Sequence, residues 1–557
     1  MPGFVHKTVD EDGTLPSKHL DATEKGLETP AELGQIAAVP VLATEFGELR
    51  DLRQGLHQRH VQMIALAGTL GTGIFLSSGQ AIARGGPLGA LLGYSIVGAG
   101  AVAVVFAAAE MGALVPLNGG VIRYAEHFVD PALSFANGWN EVYAHIVSIP
   151  SELSAAAVLV EFWTTISNGV WITIFGLLTL VTALLFVRVY GEMEFGFSLL
   201  KIALVVGLNI MALVIVCGGG PDHKAIGFQY WRNPGPFVQY LGIGGAPGRF
   251  LGFWTVLDNA LYAYSGIENI SLTAGETRAP RTSIPMAARR VFWRILIFYV
   301  VSIFFVGLLV PSSDPKLLKS TGNAAQSPFV LAATRAGIRA VPSIINAVVL
   351  TSAWSAGNSS LLWGSRILYG MALEGRAPRV LTRVNRFGVP YLTVLFYGAF
   401  MGLAYMSLSS TAVTVFAWLK DLVAVATLVN WMVMTAVYLR FYYGMQKQGI
   451  ARDELPWTAP LQPYLAWSAM AMFVLLLLTG GFAVFLHGRW SDETFVSSYV
   501  NIPIFALLYA GYKVIKRSKV IPLEDIPIRH FLQIYQNEPR VPVKPVMGWR
   551  RLNILWS

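Results

Sequence analysis

Twelve apolar runs, each near 20 residues long, leave this chain few folds to choose from. They lie at approximately 61–83, 88–110, 133–163, 170–188, 194–217, 250–275, 290–311, 341–369, 390–408, 412–440, 464–487 and 497–516. A helix of that length spans the hydrocarbon core of a bilayer, and in hydrocarbon a chain must bond its own backbone N–H and C=O groups. The expected fold class is an all-α polytopic membrane protein with 12 transmembrane helices. Charged residues make up 13% of the chain, against roughly 25% in soluble domains, so a soluble enzyme is excluded. One cysteine, Cys217, precludes an internal disulfide.

Residues 1–50 are polar, carry Asp10, Glu11 and Asp12, and have no apolar core, so no signal peptide is read there. Residues 1–55 are expected to form a disordered cytoplasmic N-terminal arm, 56–516 the transmembrane domain and 517–557 a cytoplasmic C-terminal tail. Trp549 and Trp556 of that tail are expected to pack on the membrane face. Lys and Arg placement puts the N-terminus inside: Arg123, Arg188, Arg278, Arg281, Arg289 and Arg290, then Arg376, Arg379, Arg383 and Arg386, fall in cytoplasmic loops. An even number of helices returns the C-terminus to the same side. The formal charge of +9 suits such loops better than nucleic-acid binding. The segment from Asn118 to Phe128 is short and amphipathic, either an interfacial or re-entrant piece or an ordinary loop helix.

Two of the runs carry residues that a membrane helix tolerates poorly. The first contains Gly68-Thr69-Leu70-Gly71-Thr72-Gly73-Ile74-Phe75. Each glycine disfavours helix by roughly 1 kcal/mol against alanine, so three in six residues mark a place where the helix opens. Close helix–helix packing through small residues is the competing account. The sixth run contains Tyr262-Ala263-Tyr264-Ser265-Gly266-Ile267-Glu268-Asn269, with an acid just past a Ser-Gly step. An ionisable group at that depth costs roughly 2.5–3.5 kcal/mol on insertion scales and usually has a partner or a task. Five helices separate the two breaks, so one helix runs outward and the other inward, as in inverted-repeat transporters. A broken helix offers N–H groups to an anion and carbonyls to a cation, and the backbone of an amino acid carries one of each.

Further motifs occur in order: Gln58-Arg59-His60-Val61 leading into GTLGTGIF, Pro150-Ser151-Glu152-Leu153-Ser154, Tyr190-Gly191-Glu192-Met193-Glu194-Phe195 and YSGIE. Then come Gly275-Glu276 to Ile284-Pro285, Ser365-Arg366-Ile367-Leu368-Tyr369, Gly375-Arg376-Ala377-Pro378 and Gly388-Val389-Pro390. In this order, over about residues 53–515, they resemble the fungal amino-acid permeases of the amino acid–polyamine–organocation superfamily. The resemblance implies a leucine-transporter-like fold, a 5+5 inverted repeat plus two extra helices, and proton-coupled uptake at the plasma membrane. It implies that the substrate carboxylate meets N–H groups around Gly71, Thr72 and Gly73. The ammonium then meets carbonyls near Thr69 and at Tyr262 and Ser265, beside Gly266, with Tyr262 or Tyr264 as an aromatic lid.

Each remaining candidate has a structural alternative. Glu268 is a proton carrier or latch, or a buried acid bonded to backbone amides of the first helix. Lys201 is the coupling lysine that such transporters place beside the first break, or a lysine snorkelling to the inner interface. Glu152, just after Pro150, lines the pocket or makes a structural hydrogen bond, and His145 on the same run reads as a satisfied core histidine. Asn358, Ser359 and Ser360 line the path or glue helices together. Trp418 belongs to the outer gate, with Lys420 and Asp421 part of it or simply paired with each other. No metal spacing, nucleophile triad or phosphate loop is present, and Gly71-Thr72-Gly73 follows no Rossmann strand. No cofactor is expected, and the partners are an amino acid, a proton and the bilayer, not nucleic acid. The resemblance also makes Lys7, Lys18 and Lys25 candidate sites for ubiquitin-ligase machinery.

The expectation is therefore a proton-coupled secondary active transporter that imports amino acids by alternating access. The alternative is a permease-like amino-acid sensor that binds without carrying. Uptake is expected to fail in Gly71→Val and Gly73→Val. Neutral amino acids, proline among them, are the weakly preferred substrates, with a cationic or broad range through Glu152 as the rival.

Overall fold

The computed structural model describes residues 71–117, 120–185, 187–220, 223–270, 280–318, 327–410 and 412–537. The N-terminal arm with Lys7, Lys18 and Lys25, Thr69, the Gly275-Glu276 motif, Trp549 and Trp556 lie outside them. Among the described residues the structure is helical, with no strand. Six helices there are long and apolar enough to cross a membrane, and a pair bent by 41°, Asp492–Tyr499 with Asn501–Lys516, makes a seventh.

Helix α1 runs Ser78–Leu114 and follows directly on a π-helical turn, Gly73–Ser77. A straight helix from Gly73 to Leu114, 42 residues, measures about 63 Å at 1.5 Å per residue, more than a bilayer with its head groups. Gly86 breaks it, with φ 79°. A Cβ there would stand 2.6 Å from the Pro236 carbonyl, and Leu88 N–H donates to that same carbonyl at 3.0 Å. Gly85 and Gly93 both press on Val256, so the chain folds around that side chain instead of running straight. This is the boundary expected between the first and second apolar runs.

The main helices that follow are α2 (Val121–Phe128), α3 (Pro131–Val160), α4 (Asn168–Leu185), α5 (Val187–Val216) and α6 (Gly245–Tyr264). They continue with α7 (Pro280–Ile295), α8 (Val301–Leu309), α9 (Val341–Leu373), α10 (Tyr391–Phe400) and α11 (Ala412–Lys447). The last are α12 (Tyr464–Thr479), α13 (Asn501–Lys516) and α14 (Ile528–Asn537). A π-helical turn, Leu296–Val300, joins α7 to α8.

Of the six long apolar helices, α3 and α11 are the most enclosed, and α5 and the Tyr391–Leu408 span that begins with α10 are the least. α3 packs on α9 and α11, and α6 packs on α1. Lipid tails are as apolar as leucine, so packing of small residues and buried amides holds membrane helices together. Here Asn137 Nδ2 donates to Asn430 Oδ1 at 3.1 Å, Asn140 Nδ2 to the Ala426 carbonyl at 3.0 Å, and Asn501 Nδ2 to Asn140 Oδ1 at 2.8 Å.

The amphipathic segment forms a short helix, α2, tied to its neighbours by two hydrogen bonds. Tyr124 donates to the Val115 carbonyl and Ser134 to the Ile122 carbonyl, both at 2.6 Å. Part of the C-terminal tail is also structured, as α14, whose Phe531 stacks edge-on with His127 and Phe128. Three charged groups pin this end: Arg376 to Glu126, Lys513 to Asp130, and Arg452 to Glu110 at 2.9 Å.

Candidate functional site

At the first break, Gly71 is a bend and the helix starts at Thr72, continuing as the wide π-turn from Gly73. π-turns inside helices recur at functional sites. The two glycines do different jobs. A Cβ on Gly73 would lie 2.6 Å from Ala263 Cα and 3.1 Å from its Cβ, so only glycine lets this turn touch α6. A Cβ on Gly71 would find ordinary contacts, 3.8 Å from Glu152 Oε1 and 3.9 Å from Ala356.

At the second break, α6 ends at Tyr264. Ser265 is non-helical (φ −56°, ψ 142°), Gly266 has φ 86°, and a single 3-10 turn, Ile267–Ile270, follows. The hydroxyl of Ser265 donates to the Tyr262 carbonyl at 2.8 Å and its N–H to the same carbonyl at 3.2 Å. Both lone pairs of that carbonyl are therefore engaged.

The two breaks face one cavity of about 100 Å³, room for a small molecule and more than a single water needs. Gly71, Thr72 and Gly73 line it from one side, and Tyr262, Ala263, Ser265, Gly266 and Glu268 from the other. The start of a helix presents N–H groups without intrahelical partners, and the end of one presents such carbonyls. The start after Gly71 and the end of α6 at Tyr264 therefore bring a partial positive and a partial negative pole to the same space.

A polar triangle ties the breaks to α3. Thr72 Oγ1 donates to the Glu152 carboxylate at 3.2 Å, Tyr262 OH donates to Glu152 Oε1 at 3.2 Å, and the two hydroxyls are 3.0 Å apart. Glu268 is held differently: Trp431 Nε1, on α11, donates to its Oε2 at 3.1 Å. Ser359 and Ser360 of α9 also line the cavity, and Ser360 bonds Ser148 of α3 at 3.0 Å.

Four expectations are corrected by position. Tyr264 faces away from the cavity, donating to the Tyr94 carbonyl at 3.0 Å and packing on Tyr299, so the aromatic at the site is Tyr262. Asn358 is glue: its Oδ1 accepts from Thr182 at 2.8 Å and its Nδ2 donates to the Trp354 carbonyl. Trp418 does not line the cavity, whereas Phe416 packs edge-on against Tyr262. Phe416, Lys420, Val423, Thr427 and Trp431 recur at helical spacing on the inner face of α11, and Trp418 lies off that face. Lys201 does not snorkel. It is 1% exposed, donates to Ser355 Oγ at 2.8 Å and lies 3.6 Å from Glu194 Oε1, and it is absent from the cavity wall.

Lys420 and Asp421 do pair, at 3.0 Å, but Lys420 also reaches Asn259 Oδ1 at 2.8 Å and so ties α11 to α6. His145 is not a satisfied core histidine: it lines the cavity, and among the described residues its Nε2 has no hydrogen-bond partner. Glu141, Ala263, Trp363 and Thr427 also line the cavity and were not legible as site residues. Only the α3 spacing of Glu141, His145, Ser148 and Glu152 (steps of four, three and four) signals one face.

The family model described as amino acid permease matches residues 60–522. The chain belongs to the amino acid permease family. This permease is 37% identical over 494 residues to the dicarboxylic amino acid permease of Saccharomyces cerevisiae, covering 87% of this chain and 81% of that one. It is 38% identical to the proline-specific permease of Emericella nidulans (86% and 88% covered) and 36% identical to the basic amino-acid permease of Saccharomyces cerevisiae (86% and 84%). Among solved structures, a manganese transporter of Eremococcus coleocola shares the fold at TM-score 0.53 and 14% identity, covering 85% of this permease and 95% of that chain. These relatives are named for transport and not for catalysis, and the permease is a multi-pass membrane transporter, not an enzyme.

Proposed function

We propose that this permease imports amino acids across the plasma membrane, coupled to protons, by alternating access in a twelve-span, 5+5 inverted-repeat fold with both termini cytoplasmic. The observation that carries the reading is the meeting of a helix start and a helix end at one cavity. N–H groups around Gly71, Thr72 and Gly73 take the substrate carboxylate. The ammonium goes to the terminal carbonyls of α6, Ala263 first, because Ser265 already engages that of Tyr262.

Proton coupling follows from Glu152 bridging the breaks. An ionised carboxylate only accepts hydrogen bonds, and a protonated one also donates, so a change of charge nearby re-sorts its bonds to Thr72 and Tyr262. Lys201, held by Ser355 and Glu194 on the helix beside the site, is the first candidate for the coupling group. Glu268, latched by Trp431, is the second carrier.

The test is transport by full-length protein in liposomes. Labelled amino acid should accumulate when the interior is made alkaline and exchange without a gradient. Exchange without accumulation at any pH gradient removes the proton. No exchange of any of the twenty amino acids refutes transport and leaves the sensor.

A further inference from the structure

One face of α3 carries Glu152, Ser148, His145 and Glu141, in steps of four, three and four residues, and all of them line the cavity. Steps of that size stack side chains one above the other, each about 4.5–6 Å further along the axis. The row begins at the carboxylate that joins the two breaks and runs towards the start of the helix. That end is the basic one. Arg376 bonds Ser134, Arg440 donates to the Phe128 carbonyl at 2.9 Å, and Lys513 holds Asp130. With the basic loops inside, Glu141 lies between the breaks and the cytoplasm.

The transport scheme above uses Glu152 and leaves the rest of the row without a task. Among the described residues His145 Nε2 has no hydrogen-bond partner, and no hydrogen bond or ion pair fixes the Glu141 carboxylate. Each of the two residues is 7% exposed. Buried polar groups without partners are costly, and packing alone favours an apolar side chain at both positions. Ser148 shares its bond with Ser360 of α9, and either hydroxyl can be the donor. Carboxyl, hydroxyl and imidazole each both accept and donate a proton, and that is what the row has in common. A cavity of about 100 Å³ also has room for water between them.

The groups that face the row are few. Thr72 and Tyr262 bond Glu152. Glu268, on the turn after α6, is the other carboxylate on the wall, and Trp431 of α11 holds it. Tyr397 of α10 meets His145 over Gly364, where a Cβ would stand 2.9 Å from both His145 Cβ and Tyr397 Cζ. Among the described residues no Lys or Arg belongs to the cavity wall, and Lys201 of α5 sits off it, on Ser355 and Glu194.

We propose that His145 and Glu141 form the path by which the coupling proton leaves for the cytoplasm. A proton on the Glu152 carboxyl passes through Ser148 and bridging water to His145 Nε2. The imidazolium so formed gives a proton to the Glu141 carboxylate, and Glu141 gives it to water on the inner side. Each transfer breaks one O–H or N–H bond and makes another. Glu152 is left ionised, able only to accept from Thr72 and Tyr262. The proposal rests on the proton-coupled reading and adds where the proton goes.

The test uses full-length protein in liposomes that hold a pH-sensitive dye. Proton entry, gradient-driven uptake and gradient-free exchange are followed with one labelled amino acid. Exchange needs the loaded carrier to cross and return, whereas net uptake also needs the proton to leave. Positioned acid–base groups contribute about 100-fold or more to proton transfer, and water replaces part of that, so the ratio of uptake to exchange should fall at least about tenfold in Glu141→Gln and in His145→Gln. Proton entry should fall with it. Glu141→Asp, which keeps the carboxyl, should restore most of the ratio. The double variant should fall no further than the worse single one, because both substitutions interrupt the same path. An unchanged ratio in Glu141→Gln, with uptake and exchange either kept or lost together, refutes the path. If the natural protein exchanges but never accumulates, the proton-coupled reading itself fails.

Discussion

Gly73→Ala tests the claim that the two breaks touch. Its new Cβ meets Ala263 Cα at 2.6 Å and Ala263 Cβ at 3.1 Å. Carbon atoms rest at roughly 3.5–4.0 Å, and the nearer atom is backbone, so the π-turn and α6 must separate by about 1 Å. Overpacking of this kind costs about 1–3 kcal/mol, and here it also displaces the N–H groups from the α6 carbonyls. Gly71→Ala, with nothing nearer than 3.8 Å, is the matched control. Purified variants should show Gly73→Ala with a lowered apparent melting temperature and reduced exchange, and Gly71→Ala melting like the natural protein. Adding Ala263→Gly to Gly73→Ala removes the 3.1 Å contact but leaves the 2.6 Å one, so recovery should be partial. A Gly73→Ala protein as stable and active as its parent refutes the contact.

Other expectations follow from single bonds. Trp431→Phe removes the donor to Glu268 and should slow uptake, at a cost of about 1.5–3 kcal/mol for a bond to a charged group; unchanged uptake and melting would dismiss the latch. Lys420→Met strips α11 of its bond to Asn259 and leaves Asp421 without its cation. Stability should fall by a few kcal/mol, and Asn259→Leu in the same background should add little. Tyr262→Phe keeps the ring on Phe416 but loses the bond to Glu152, so apparent substrate affinity should drop while folding is kept; an unaltered KM would remove Tyr262 from the site. Burial, with Arg123 next, holds His127 of α2 down to about 4. The folded state then binds fewer protons than the unfolded one between about pH 4 and 6.5, so stability should rise with pH across that window. In His127→Phe that slope should flatten.

Membership in a membrane class and the helix end at the Ser265-Gly266 step, with Glu268 just past it, were legible in the chain, for local reasons. Apolar length alone dictates spanning helices. Glycines in a helix, and an acid in an apolar run, are each unfavourable enough to need an explanation where they stand. What the sequence could not decide was facing. Gly71 and Gly73 look alike until Ala263 is brought against one of them. Tyr262 and Tyr264 differ by two positions, which on a helix points them to opposite sides, and only packing against Tyr94 and Tyr299 told which one meets the cavity. Glu141 passed unnoticed because it follows Asn137 and Asn140, in a stretch that reads as the polar entry of a helix. The same stretch is wrapped by α9, α10 and α11, and that packing puts the carboxylate on the cavity wall. Periodicity is a property of the chain, whereas the environment of a side chain belongs to its neighbours, most of them more than a hundred residues away.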